Sequence, residues 1–127
     1  MSIDREMLGM ALTYHGDGGF FFDRETGDVI PDVEREIDSE DPRYLAIDPL
    51  PSRLAYDLMV EFCDELSEGS IKERLSEALA GMGAFRRFKD VFFDYPKLRA
   101  MWFEREAAWI DAQVSRWLWD HELTDKA

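Results

Sequence analysis

One cysteine and two histidines are all the thiol and imidazole metal ligands in this 127-residue chain. Cys63 has no second thiol to pair with, so an internal disulfide and a thiolate-rich zinc site are both excluded, and a reducing compartment such as the cytoplasm is expected. His15 and His121 stand at opposite ends of the chain, neither with another histidine or a cysteine at ligand spacing, so no metal site is expected. No apolar run approaches the roughly 18 residues of a membrane span. The start Ser2-Ile3-Asp4-Arg5-Glu6 also lacks the basic and apolar stretches of a secretory signal. Phosphate loops of the Gly-Lys-Ser/Thr type and Gly-x-Ser-x-Gly elbows are missing, and Cys63 falls inside a helical apolar pattern where packing outweighs nucleophilicity. The residues therefore name no catalytic set and no cofactor, and the balance leans away from an enzyme.

What the chain has in excess is acid. Asp and Glu number 28 against 15 Lys and Arg, a net charge of -13, while 46% of residues are hydrophobic and 13% aromatic. A chain of this length buries roughly two thirds of its unfolded surface, so a single domain over 1–127 with its own core is expected. The negative field disfavours direct contact with nucleic acid and with anionic membranes. The charge is uneven: residues 1–48 hold 13 acids and 4 bases, whereas 81–99 hold 5 bases and 2 acids. That segment is the positive island of the chain.

The apolar spacing of Ile3, Met7, Met10, Ala11 and Tyr14 predicts a short helix, with Ser2 placed to cap it and Gly16 to end it. Gly19-Phe20-Phe21-Phe22-Asp23 and Asp28-Val29-Ile30 flank a turn in which Gly27 can take positive φ, the pattern of a β-hairpin. Asp32 to Pro42 carries six acids against Arg35 and reads as a solvated loop, before Tyr44-Leu45-Ala46-Ile47 forms a third, edge strand between Pro42 and Pro49. Four helices follow. The first carries Leu54, Leu58, Met59, Phe62 and Leu66, with Ser52 as its cap; the second buries Ile71, Leu75, Ala78 and Leu79, with Ser70 and Glu73 as a capping box. The third, over 84–95, carries Phe85, Phe88, Val91, Phe92 and Tyr95, and the last runs from Pro96. The fold class is α+β: an N-terminal helix and a small antiparallel sheet of two to three strands over 1–48, with a four-helix region over 51–121 packed on it.

Several of these segments resemble a known family. Phe20-Phe-Phe-Asp-Arg-Glu-Thr-Gly-Asp28, Arg43-Tyr44-Leu45, the glycine-bounded Phe85-Arg-Arg-Phe-Lys-Asp90 and Tyr95-Pro-Lys-Leu-Arg-Ala-Met-Trp-Phe103 are similar to uncharacterised protein family 0158 of bacteria, from about Leu8 to Leu118. The resemblance implies an intact single domain and a bacterial cytosolic setting. It brings no activity, substrate or catalytic residue.

Two groups of residues stand out as candidate surfaces. Arg86, Arg87 and Lys89 leave the aromatic stripe of their helix and can offer cations to a phosphate, a carboxylate or a partner, or simply satisfy local acids such as Asp90. All four tryptophans lie after Pro96, and helical geometry sorts the last helix into two nearly opposed stripes. Phe103, Ala107, Ile110, Val114, Trp117 and Leu118 form one, expected to face the core. Trp102, Arg105, Trp109, Ala112, Arg116 and Trp119 form the other, which either packs within the chain or meets another protein, a homodimer being the simplest case. The leading expectation is a non-catalytic cytosolic protein-binding or regulatory module. Its rivals are an acidic nucleic-acid mimic built on the front half and an enzyme of unknown class.

Overall fold

A computed structural model of the chain describes residues 1–32 and 37–124. In order they form α1 (Arg5–Leu12), β1 (Gly19–Asp23), β2 (Val29–Asp32), β3 (Tyr44–Ile47), α2 (Ser52–Asp64), α3 (Ser70–Ala78), α4 (Ala84–Val91), a 3-10 turn (Phe92–Asp94) and α5 (Pro96–Asp120). This is the α+β architecture expected. The contacts gather into two compact units, Met1–Leu50 with Trp109–Ala127, and Pro51–Ala108.

The first unit holds the sheet, with strand order β2-β1-β3 and both pairings antiparallel. Phe22 stands opposite Val29 on one side and Leu45 on the other, and its ring is fully buried. It packs with Leu8, Leu12, Val29, Ile47, Val114 and Leu118, and its ring centroid lies 5.6 Å from that of Trp117. The cap of α1 is Asp4, not Ser2: its side chain accepts from the Met7 amide at 3.1 Å. The Ser2 carbonyl lies instead against Gly27, where a Cβ would sit 2.4 Å from it, and the Asp4 amide donates to the Gly27 carbonyl. Gly27 thus meets two demands, a φ of +83° and a close backbone neighbour, that no side chain tolerates together. Asp32 is the last residue of β2 rather than part of a loop. Residues 33–36 of the acidic stretch lie outside the described residues.

Asp23 ends β1 and is buried. One carboxylate oxygen accepts from the amides of Glu25 and Thr26, closing the hairpin turn, and from Arg43 Nε at 2.9 Å; the other accepts from the Arg43 guanidinium at 2.8 Å. The fork ties the residue just before β3 to the end of β1, beside the Asp23–Tyr44 pair of the ladder. Arg43 holds the Asp23 carboxyl far below the usual carboxylate range, against the upward push of burial.

The second unit is a helical cluster around four aromatic rings. Phe62 from α2, Phe88 from α4, Phe92 from the 3-10 turn and Trp102 from α5 meet with centroids 5.0–6.4 Å apart, mostly edge to face. Leu58, Met59, Leu75, Leu79 and Leu98 are buried in the same unit. Three expectations need correction. Ile71 and Phe85 are half-exposed rather than core, since each stands on the outer edge of a short helix. The third helix stops at Val91 and tightens into the 3-10 turn, which throws Phe93 outward and leaves it 80% exposed. Gly69, rather than the side chain of Ser70, stands at the cap of α3, and Pro51, rather than Ser52, at that of α2; neither makes a side-chain cap bond.

Along α5 the buried face changes. Leu98 and Trp102 are buried in the second unit, Val114 and Leu118 in the first. Residues 102 and 114 lie about 120° apart around a helix, so each half buries a different stripe.

Two outcomes follow from this packing. Phe88→Ala is expected to cost about 3–5 kcal/mol in chemical denaturation, whereas Trp102→Phe costs less than Trp102→Ala because a phenyl ring keeps part of the packing against Phe62, Phe88 and Phe92. Because the folded Asp23 is depressed, its contribution is complete above the unfolded carboxylate value of about 4 and is lost as pH falls below it. Asp23→Asn is expected to melt lower at pH 7 and to show a flatter decline between about pH 4 and pH 2 than the wild type.

Candidate functional site

The C-terminal end of α4, the 3-10 turn and the first two turns of α5 enclose a groove of about 360 Å³ in the second unit. Its lining residues are Arg86, Lys89, Asp90, Phe92, Phe93, Arg99 and Phe103. The local sequence explains the mixture. Phe88, Val91 and Phe92 turn inward, so on this short helix Arg86 and Lys89, three residues apart, are left on one outer face. Pro96 opens α5 without needing an amide donor, and Leu98 and Trp102 turn inward, leaving Arg99 and Phe103 at helical spacing on the other wall. The Arg99 guanidinium sits 5.1 Å from the Phe103 ring centroid, a cation–π contact that holds the charge at the rim.

Among the described residues, Lys89 and Arg99 make no ion pair, and Arg86 reaches Asp90 only at 3.9 Å with its side chain 90% exposed. Such a contact is worth little in water and yields readily to a better partner. The groove therefore sets three cations and one carboxylate beside two solvent-exposed phenyl rings.

Arg87, the third basic residue of the motif, has a different task. Its Nε donates to the Ala78 carbonyl at 3.2 Å and its terminal nitrogens donate to the Ala80 and Met82 carbonyls. One guanidinium thereby satisfies the end of α3 and the loop through Gly81 and Gly83 that delivers the chain to α4. Arg87 is a brace, so of the three cations named as a candidate anion or partner surface only Arg86 and Lys89 line the groove.

The tryptophan–arginine stripe is also divided. Trp102 is 2% exposed inside the aromatic cluster, so it belongs to the core and not to a surface. Arg105 pairs with Glu65 at 2.6 Å and with Glu61 at 3.6 Å, fastening α5 to α2, and in turn holds the Glu65 carboxyl below its usual value. Trp109 is half-buried. Ala112, Arg116, whose partner Asp120 is 3.9 Å away, and Trp119, 83% exposed, remain as open surface. Phe103, expected in the core, lies in the groove instead. Sequence reasoning missed Phe93, Arg99 and Phe103; the signal available was Arg99 and Phe103 four residues apart on a helix whose other face is Leu98 and Trp102.

Chemistry elsewhere is sparse. Cys63 is buried, and that burial pushes its thiol up to about 11, which keeps it protonated and unreactive at neutral pH. Among the described residues no group of three or more His, Cys, Asp or Glu is placed to hold a metal ion. None of their helices is long and apolar enough to cross a membrane.

The sequence profile of the Uncharacterised protein family (UPF0158) matches residues 13–126. The chain belongs to UPF0158. It is 27% identical to the UPF0158 protein PA5073 of Pseudomonas aeruginosa over an alignment of 135 residues, covering 100% of this chain and 88% of that protein. No solved structure matches. In this UPF0158 member the segments that carried the resemblance divide into braces and surface: Phe20–Asp28 and Arg43–Leu45 contain the Asp23–Arg43 fork, Phe85–Asp90 contains the Arg87 brace, and Lys89, Arg99 and Phe103 line the groove.

The division between Arg86 and Arg87 is directly testable. Arg87→Lys is expected to lose about 1–2 kcal/mol of stability, since an ammonium cannot span three carbonyls as a guanidinium does. Arg86→Ala is expected to leave the thermal midpoint unchanged.

Proposed function

We propose that the chain is a non-catalytic, cytoplasmic protein-binding module that engages its partner through the groove formed by the basic helix α4 and the start of the aromatic helix α5. One observation carries the reading: two exposed phenyl rings lie beside three loosely engaged cations, in a chain whose net charge is -13. Arg and aromatic residues together are the composition of interface hot spots, and a surface that keeps such rings in water is commonly covered by another protein. An enzyme would need acids and bases set against one another in an enclosed pocket, whereas Asp90 is the one carboxylate among the groove's lining residues.

The exposed remainder of α5, Arg116 and Trp119, supports a second contact, for which a homodimer is the simplest form. The nucleic-acid mimic draws less support. Asp38 and Asp41 accept hydrogen bonds from the amides of Glu40 and Arg43, so their carboxylates serve local turns, and the acids over 33–36 lie outside the described residues.

Incorporation of a photoreactive benzoylphenylalanine at position 93 or 119 in cells tests both contacts. Position 93 is expected to yield discrete adducts with other proteins that vanish on Lys89→Glu with Arg99→Glu. Position 119 is expected to yield adducts of twice the chain mass. If position 93 gives no adduct, or adducts indifferent to the charge reversals, the groove is not a docking surface.

A further inference from the structure

We infer that the groove accepts an extended peptide segment in which one aromatic or leucine side chain is flanked by carboxylates; this rests on the protein-binding reading and supplies its chemistry. The size of the groove is the first argument. About 360 Å³ sits at the low end of ligand pockets, enough for one large side chain and its neighbours rather than a folded surface. Its floor is the buried Phe92, and Phe93 and Phe103 are exposed beside it, so the group that enters is apolar.

The rim decides what stands beside that group. Arg86 and Lys89 line it from α4 and Arg99 from α5, with Asp90 the one opposing acid. Arg99 is already held by stacking on Phe103, so little side-chain freedom is lost when it donates to a carboxylate. Arg86 has only a long contact with Asp90 to surrender. Carboxylates on either side of the apolar residue thus meet cations whose present partners are weak or absent among the described residues.

Charge also selects against the rival occupants. The net charge of the lining is +2 in a molecule of -13, so a segment with two or three carboxylates is attracted locally while a long polyanion is repelled by the surrounding acids. A nucleic acid strand would carry its phosphates beyond the island into that negative field.

The probe is a blocked peptide, Gly-Asp-Phe-Asp-Ser-Glu-Gly, titrated into the full-length protein while amide shifts are recorded. The largest shifts are expected over residues 86–93 and 99–103. Replacing the three acids by Asn, Asn and Gln, or Phe by Ala, is expected to weaken binding by about tenfold or more, because each change removes charged hydrogen bonds or the buried anchor. Lys89→Glu with Arg99→Glu should abolish the shifts without moving the thermal midpoint. Equal binding of the uncharged peptide, shifts centred elsewhere, no binding at all, or tighter binding of an oligothymidylate of about ten nucleotides would each overturn the inference. So would dilution experiments showing that a second copy covers these amides. If the position-93 protein adducts persist while this peptide fails, the peptide chemistry is wrong and the docking reading stands; if both fail, the docking reading falls with it.

Discussion

A single helix of 25 residues, about 37 Å long, has to bury two different faces in succession, and most of the structure is arranged around that demand. Its first half puts Leu98 and Trp102 into an aromatic cluster and its second half puts Val114 and Leu118 against the sheet. Each change of face leaves something uncovered. On the first half it is Arg99 and Phe103, which become a wall of the groove; on the second it is Arg116 and Trp119. The candidate binding surfaces are what remains of each stripe once the other has been used for packing.

Arginine does much of the fastening, and its geometry explains why. The planar guanidinium of Arg43 meets both oxygens of Asp23 while that carboxylate also closes the hairpin turn, and Arg87 reaches three carbonyls that a helix end and a tight loop would otherwise leave bare. Arg5 joins Asp111 and Ser115, bringing α1 onto α5 where Gly9 leaves room for Ile110; a Cβ on Gly9 would stand 2.7 Å from that side chain. Arg105 joins Glu61 and Glu65 in the other unit. These arginines are committed to the fold.

Three cations without a firm partner among the described residues, Arg86, Lys89 and Arg99, gather on one groove beside exposed aromatic rings. Negative charge elsewhere makes that gathering informative: in a basic protein three such residues would be unremarkable surface, but here they stand against a field of opposite sign. The same field opposes long polyanions, and it is the ground on which short, locally acidic occupants are proposed for the groove.

Period and punctuation alone determined the elements. The apolar spacing of 3–14, the Gly27 turn between Phe22 and Val29, and the strand bounded by Pro42 and Pro49 each depend on residues near in sequence, so the sheet and five helices were legible in outline, as was the family. Capping details and the last turn of the third helix were less so, because backbone approach at Gly27 and the packing of Phe92 decided them. The sequence also separated two stripes on α5, since helical angles are local. Which stripe was buried, and over which half, depended on partners some forty residues away in the chain, such as Phe62 beside Trp102. No local signal distinguishes an arginine that braces a loop from its neighbour that faces water: Arg86 and Arg87 read alike in sequence, and only the tertiary structure, by placing three carbonyls within reach of one of them, gave them different work.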